Sequence, residues 1–189
     1  MPVYIGLLRA VNLGPGTEVP MGPLRDLLQG LGLEDVRTLL RSGNVVFRSP
    51  GRDTTELERQ ITQAVGRRLG VSTEVLVRSA EEWRSVIAGN PFPREAAGDP
   101  GHLLVMALRA APSGDRWKAL DAAIPGRERV RGAGRHAYLV YPDGIGRSRL
   151  TAARIEASLG TVGTARNWNT VTKLSVLAAS IEPPGSSPP

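Results

Sequence analysis

The sequence predicts an α+β protein built from two ferredoxin-like halves, each running β-α-β-β-α-β and related by internal duplication. Three observations carry this reading. Hydrophobic periodicity alternates between strand-like and helix-like runs in the same order twice along the 189 residues. The string "LLRAVNLG" at Leu7–Gly14 is echoed by "ALRAAPSG" at Ala107–Gly114, 100 residues later, and a period that long marks duplicated domains and not a solenoid. Finally, the first strand of each half lacks a polar face. Val3, Ile5 and Leu7 alternate with Tyr4, Gly6, Leu8 and Ala10, and Leu103–Leu108 is apolar throughout. An antiparallel sheet wet on one side alternates apolar with polar residues. These antiparallel or mixed sheets are therefore expected to be covered on both faces, on one side by helices.

The elements follow in order. Val3–Val11 is a strand, and "NLGPGTEVP" after it is turn chemistry. Met21, Leu24, Leu27, Leu28 and Leu31 form a helical stripe that stops at Gly30–Gly32. "VRTLLRSGNVVFRS" reads as two strands around Ser42–Gly43–Asn44. Leu57, Ile61, Ala64, Val65 and Leu69 mark a second helix, and "STEVLVRS" the closing strand. A helix around Ala80–Ala88 and a loop, "NPFPREAAGDPG", lead to the second half. There the strand "HLLVMALRA" precedes a helix carrying Trp117, Leu120 and Ile124, the strands "RERVRG" and "RHAYLVYP", a helix carrying Ala152, Ile155 and Leu159, and the strand "TVGTAR". The expected organisation is a first half over 1–90, a linker over 91–101, a second half over 102–181 and a disordered tail over 182–189, where "EPPGSSPP" closes the chain.

For the last helix the expectation is specific. Asn167–Asn169 forms a turn, Asn169 is the N-cap, and Val171, Leu174, Leu177 and Ala178 of the helix from Thr170 onward face the core.

Bulk properties narrow the function. The composition, 41% hydrophobic and 22% charged, is that of a soluble globule. No run of roughly 18 apolar residues predicts a membrane span. "VYIGLLRAV" lacks a preceding basic region and is interrupted by Arg9, so it reads as a strand and not a signal peptide. With no cysteine there are no disulfides or thiolate metal sites, and a cytoplasmic location is expected. The net charge of +6 comes from 24 basic and 18 acidic residues, and 22 of the basic ones are arginine. That excess is thin for a dedicated nucleic-acid binder. The third strand offers only Phe47 and the chain is 4% aromatic, so an open-sheet RNA reader with stacking aromatics is not expected.

Catalytic signatures are sparse. The two histidines, His102 and His136, stand alone near or within strands and read as structural. No His pair at helical spacing and no carboxylate cluster predicts a metal, and no cofactor is expected. Gly14–Pro15–Gly16 fits neither phosphate-loop pattern, since proline removes an amide donor and no GK[ST] follows. "GRSRL" at Gly146–Leu150 lacks the second glycine of a nucleophile elbow.

Four polar strings remain: "RAVNLG", "RSGN", "GRSRL" and "RNWNTVTK". With "VPM..LR.LL..LG" from Val19 to Gly32, "VRTLLRSGNVVF" from Val36 to Phe47, "NPF" at Asn90–Phe92, "IGRSRL" at Ile145–Leu150 and "TARNWNTVTKL" at Thr164–Leu174, they make the chain resemble the DUF1697 family of bacterial proteins along nearly its whole length. Two positions depart from the usual pattern: Ala10 stands where such proteins carry glycine, and Leu39 where an aromatic is common. The resemblance implies a two-part α+β fold and supplies no activity.

The residues themselves suggest a chemistry. All four strings hold Arg, Ser, Asn, Thr or Lys, and none holds Asp, Glu or His. Acid–base chemistry needs a carboxylate or an imidazole. Holding phosphate or carboxylate needs arginine forks, hydroxyls and helix-start amides. The candidate ligand-binding residues are Arg9, Asn12, Arg41, Ser42, Asn44, Arg147, Ser148, Arg166, Asn167, Asn169, Thr170 and Lys173. If Arg41, Asn44, Arg166 and Lys173 converge, the strings form a single pocket. The competing reading is structural: Asn44 in a hairpin turn, Asn169 as a cap and Trp168 as a staple.

The favoured function is thus binding of an anionic ligand, namely a nucleotide, a phosphorylated metabolite or a nucleic-acid backbone. A metal-free small-molecule enzyme for phosphoryl or acyl transfer and an oligomeric interaction protein are the alternatives, and whether the chain is an enzyme stays open, as does its oligomeric state. Separately, strand alternation places Arg127, Arg129 and Arg131 on one exposed face near the edge of the second sheet, as a charged guard against edge pairing or as a phosphate stripe.

Overall fold

The computed structural model describes residues 1–51 and 53–182. Its element order is β1 (Val3–Leu8), α1 (Met21–Gly30), β2 (Glu34–Leu39), β3 (Asn44–Arg48), α2 (Thr54–Leu69), β4 (Val75–Ser79), α3 (Ala80–Ala88), α4 (Pro93–Gly98), β5 (Leu103–Leu108), α5 (Gly114–Ala122), β6 (Arg129–Ala133), β7 (His136–Val140), α6 (Ala152–Leu159), β8 (Gly163–Asn167) and α7 (Trp168–Ala179). The strands form two four-stranded antiparallel sheets, ordered β2-β3-β1-β4 and β6-β7-β5-β8. The fold is α+β, as expected. The segment read as a loop before the second half contains α4, which starts with Pro93 in the first turn, where a missing N–H costs nothing. The tail expected over 182–189 lies, apart from Glu182, outside the described residues.

Two compact units divide the described residues: Met1–Ser85 with 173–182, and Val86–Thr172. In the first, Leu24, Leu27 and Leu28 of α1 and Leu57, Ile61 and Val65 of α2 pack on Tyr4, Leu8, Val45, Phe47, Val75 and Val77 of the sheet. Tyr4 and Phe47 stack with ring centres 5.8 Å apart. Helix α2 is bounded as its sequence directs: Asp53 accepts from the Thr55 N–H, and Gly70 closes the helix in the left-handed conformation. In the second unit, Leu120, Ile155 and Leu159 pack on Leu104, Met106, Leu108, Ala137 and Leu139. Ser113 and Thr151 cap α5 and α6. Every residue of β1 and of β5 is buried, so both faces of each first strand are covered.

The halves share more than element order. Leu8 N–H donates to Gly43 O and Arg9 N–H to Glu74 O; Leu108 N–H donates to Arg135 O and Arg109 N–H to Val162 O. Arg9 and Arg109 therefore occupy the same place in their own sheets. Ile5 faces Arg78 across the β1–β4 ladder, and Val105 faces Arg166 across β5–β8. Each of these arginines also donates to the carbonyl of its preceding residue, Val77 or Ala165. Hence "RSAEEW" and "RNWNTV" are counterparts, each a fourth strand running straight into a helix.

Candidate functional site

That counterpart relation explains the opening of the last helix and corrects the expected cap. No turn separates β8 from α7, and the helix starts at Trp168. Asn167 is the capping residue, accepting from Thr170 N–H at 3.0 Å and from the Thr170 hydroxyl at 3.1 Å. Ser79 does the same at the matching position, accepting from Glu82 N–H at 3.0 Å. The expectation for Asn169 failed because asparagine two residues later offers the same side chain, and only backbone geometry distinguishes them. Asn169 instead lies in the first turn, its carbonyl accepting from Thr172. Val171, Leu174 and Ala178 are buried as expected, and Leu177 is half-buried. Replacing Asn167 with alanine is expected to cost about 1 kcal/mol, against a few tenths at most for Asn169→Ala, measured as the shift in chemical-denaturation midpoint.

The two buried arginines differ in their surroundings. Arg78 is fully buried, with Nε 3.2 Å from Glu82 and Nη1 3.5 Å from Glu58. Arg166 donates to the Thr164 hydroxyl at 2.8 Å and to Ala165 O, and burial pushes its guanidinium down to about 10. Thr170 stands where the first half has Glu82. Lys173, in the last helix, is exposed.

In the first unit the structure gathers Asn12, Arg41, Ser42 and Asn44 into one loop cluster, and most of their polar groups serve the loops themselves. Asn12 Nδ2 donates to Arg41 O at 2.5 Å and to Val19 O, while its Oδ1 accepts from Val19 N–H. Fully buried Asn44 donates to Leu39 O and to the Ser42 hydroxyl, both at 2.8 Å. Arg9 is half-buried and its carbonyl accepts from Thr73; the Arg41 side chain is exposed. Ala10 adopts φ +54°, in the left-handed region that glycine enters without strain. This is the physical content of the departure from the usual glycine.

The remaining string, "GRSRL", lines an open cleft. In the second unit a cleft of about 220 Å³ is walled by Pro125–Glu128, Tyr141–Gly144 and Arg147–Arg149. Of the predicted residues it holds Arg147 and Ser148. Arg147 ends a 3-10 turn over Ile145–Arg147, and Ser148 after it is extended, with φ −78° and ψ 140°. The Ser148 hydroxyl donates to Glu128 Oε1 and accepts from Leu150 N–H at 2.9 Å. Arg127 is clamped by both oxygens of Asp143, at 2.6 and 3.2 Å. Arg147 and Arg149 are exposed, and neither has a side-chain partner among the described residues. Tyr141, buried beneath, donates to Leu150 O; burial first and then the Glu128 charge raise its phenol to about 12.

Arg127, Glu128, Tyr141, Asp143 and Arg149 were not among the predicted site residues. The Arg-Ser-Arg alternation could have signalled Arg149. Nothing local in the sequence brings Glu128 to Ser148.

Arg127, Arg129 and Arg131 are all exposed, and β6 is an edge strand, as expected. The strand starts only at Arg129, which pairs with Glu95 and lies 5.0 Å from the Phe92 ring centre. With Arg127 on Asp143, two of the three charges are neutralised within the unit, which favours the guard over the phosphate stripe. His102 sits 2.7 Å from Asp99, and His136 is buried in β7.

Residues 1–138 match the model of a family described as a protein of unknown function, DUF1697. The chain belongs to this family. It is also similar in fold to a conserved bacterial protein from Streptococcus pneumoniae, with a TM-score of 0.74 and 18% identity over 94% of this chain and 98% of that one. No curated protein matches the chain. Among the described residues, no helix is long and apolar enough to cross a membrane, and no group of three His, Cys, Asp or Glu side chains could hold a metal ion.

Proposed function

We propose that this DUF1697 protein binds a small phosphate-bearing ligand in the cleft of its second unit. The observation that carries the reading is the pair Arg147 and Arg149, two exposed guanidinium groups lining a cleft whose third arginine, Arg127, already holds a carboxylate. Guanidinium forks match phosphate oxygens two at a time, and Arg127 on Asp143 shows the geometry in use. Asn12, Ser42 and Asn44 act in this reading as loop supports and not as ligand contacts. The absence of cysteine supports a cytoplasmic setting.

Calorimetric titration with inorganic phosphate at low ionic strength tests the proposal. A charge-assisted hydrogen bond contributes about 1.5–3 kcal/mol, so the double variant R147A/R149A is expected to lose at least a factor of about 10 in affinity. Both side chains are exposed, so its denaturation midpoint should match that of the parent. Equal phosphate affinity in the double variant, or no binding by the parent, overturns the proposal.

A further inference from the structure

The cleft is not uniformly basic, and its acidic wall narrows the ligand class. Glu128 spends Oε1 on the Ser148 hydroxyl, while Oε2, buried, has no hydrogen-bond partner in the protein. A buried carboxylate oxygen without a donor is costly. Gly126 makes room for it: a Cβ there would come within 2.7 Å of Oε2. Since Asp143 cancels Arg127, the cleft offers two uncommitted positive charges beside one acceptor that lacks a donor.

Three features then discriminate among anions. Chains of phosphates would press further negative charge against Glu128. A nucleotide base needs an aromatic face to stack on, but the aromatic residue of the lining, Tyr141, is 2% exposed and its hydroxyl is bound to Leu150 O. The volume of about 220 Å³ also falls below the roughly 300 Å³ at which pockets begin to enclose drug-sized ligands. Resting on the phosphate reading above, we infer that the ligand is a small phosphomonoester whose carbon skeleton carries hydroxyl groups, a sugar phosphate or polyol phosphate. Its phosphate lies on Arg147 and Arg149, and a hydroxyl donates to the Glu128 carboxylate, whose Oε2, closed to water in the free protein, turns toward the cleft when the ligand binds.

Calorimetry with inorganic phosphate, ribose 5-phosphate, adenosine monophosphate and a short oligothymidylate, on the full chain, separates the possibilities. Ribose 5-phosphate is expected to bind at least ten times more tightly than inorganic phosphate. Glu128→Ala should abolish that advantage while inorganic phosphate binds as well as before, or better. Glu128→Gln, which preserves shape and an acceptor, should retain part of it and guards against misfolding of the alanine variant. If ribose 5-phosphate binds no more tightly than inorganic phosphate, or Glu128→Ala leaves the advantage intact, the sugar-phosphate assignment fails and the anion site stands. Tighter binding of the nucleotide or the oligonucleotide also overturns the assignment. Failure of all four probes to bind removes the anion site itself.

Discussion

Gly43→Ala is expected to destabilise the first unit by about 2–5 kcal/mol, more than any surface change in the protein. Gly43 has φ +74°, and a Cβ there would sit 2.6 Å from Val11 Cγ2 and 2.8 Å from Leu8 Cβ. The left-handed conformation alone costs a non-glycine residue about 1–2 kcal/mol, and overpacking adds roughly 1–3 kcal/mol. Relief by backbone movement is blocked. The Gly43 carbonyl accepts from Leu8 N–H at 2.8 Å, fixing the hairpin against β1, and Leu8 Cβ is attached to a buried strand. Chemical denaturation of the variant reads the loss directly. A change below about 1 kcal/mol would show that the hairpin relaxes away from Leu8, and this packing argument would be wrong.

Glu58→Ala should be comparably damaging, by about 3–5 kcal/mol, for an electrostatic reason. Glu58 is 6% exposed, accepts from Val77 N–H at 2.9 Å and lies 3.5 Å from the guanidinium of fully buried Arg78. Removing one member of a buried ion pair leaves the other's charge in a medium that solvates it poorly. Glu82, at 3.2 Å, softens the loss without replacing the bond to Val77 N–H. The double variant E58L/R78M separates charge from packing, because apolar replacement of both partners is often neutral. Recovery of most of the stability in the double variant is the expected result. If E58L/R78M is as unstable as Glu58→Ala, the ion pair is not the source of the effect.

Much of this fold was legible locally. The stripes at Leu24–Leu28 and Leu57–Val65, the turn residues at Ser42–Gly43 and the all-apolar first strands each state a burial pattern within one element. Less of the site could be read. "RNWNTVTKL" looked like a cluster of free donors. Asn167 is spent on the helix start and Arg166 is turned inward among Thr164 and the Ala165 carbonyl. "RSGN" and "RAVNLG" looked equally available, and their asparagines hold loops together. Of the four strings, "GRSRL" keeps two exposed arginines beside a cleft.

Apart from α4 and the direct passage from β8 into α7, the sequence by itself determined the order and kind of the elements, the repetition of that order and the cover on both faces of each first strand. Periodicity and turn chemistry act over a few residues, so a linear string records them. Tertiary structure decided which polar side chains are consumed and which remain for a ligand. Asn12 meets the Arg41 carbonyl across 29 residues of chain, and Ser148 meets Glu128 across 20. A donor is spent or free according to what folding brings within about 3 Å of it, and composition and spacing along the chain carry no record of that.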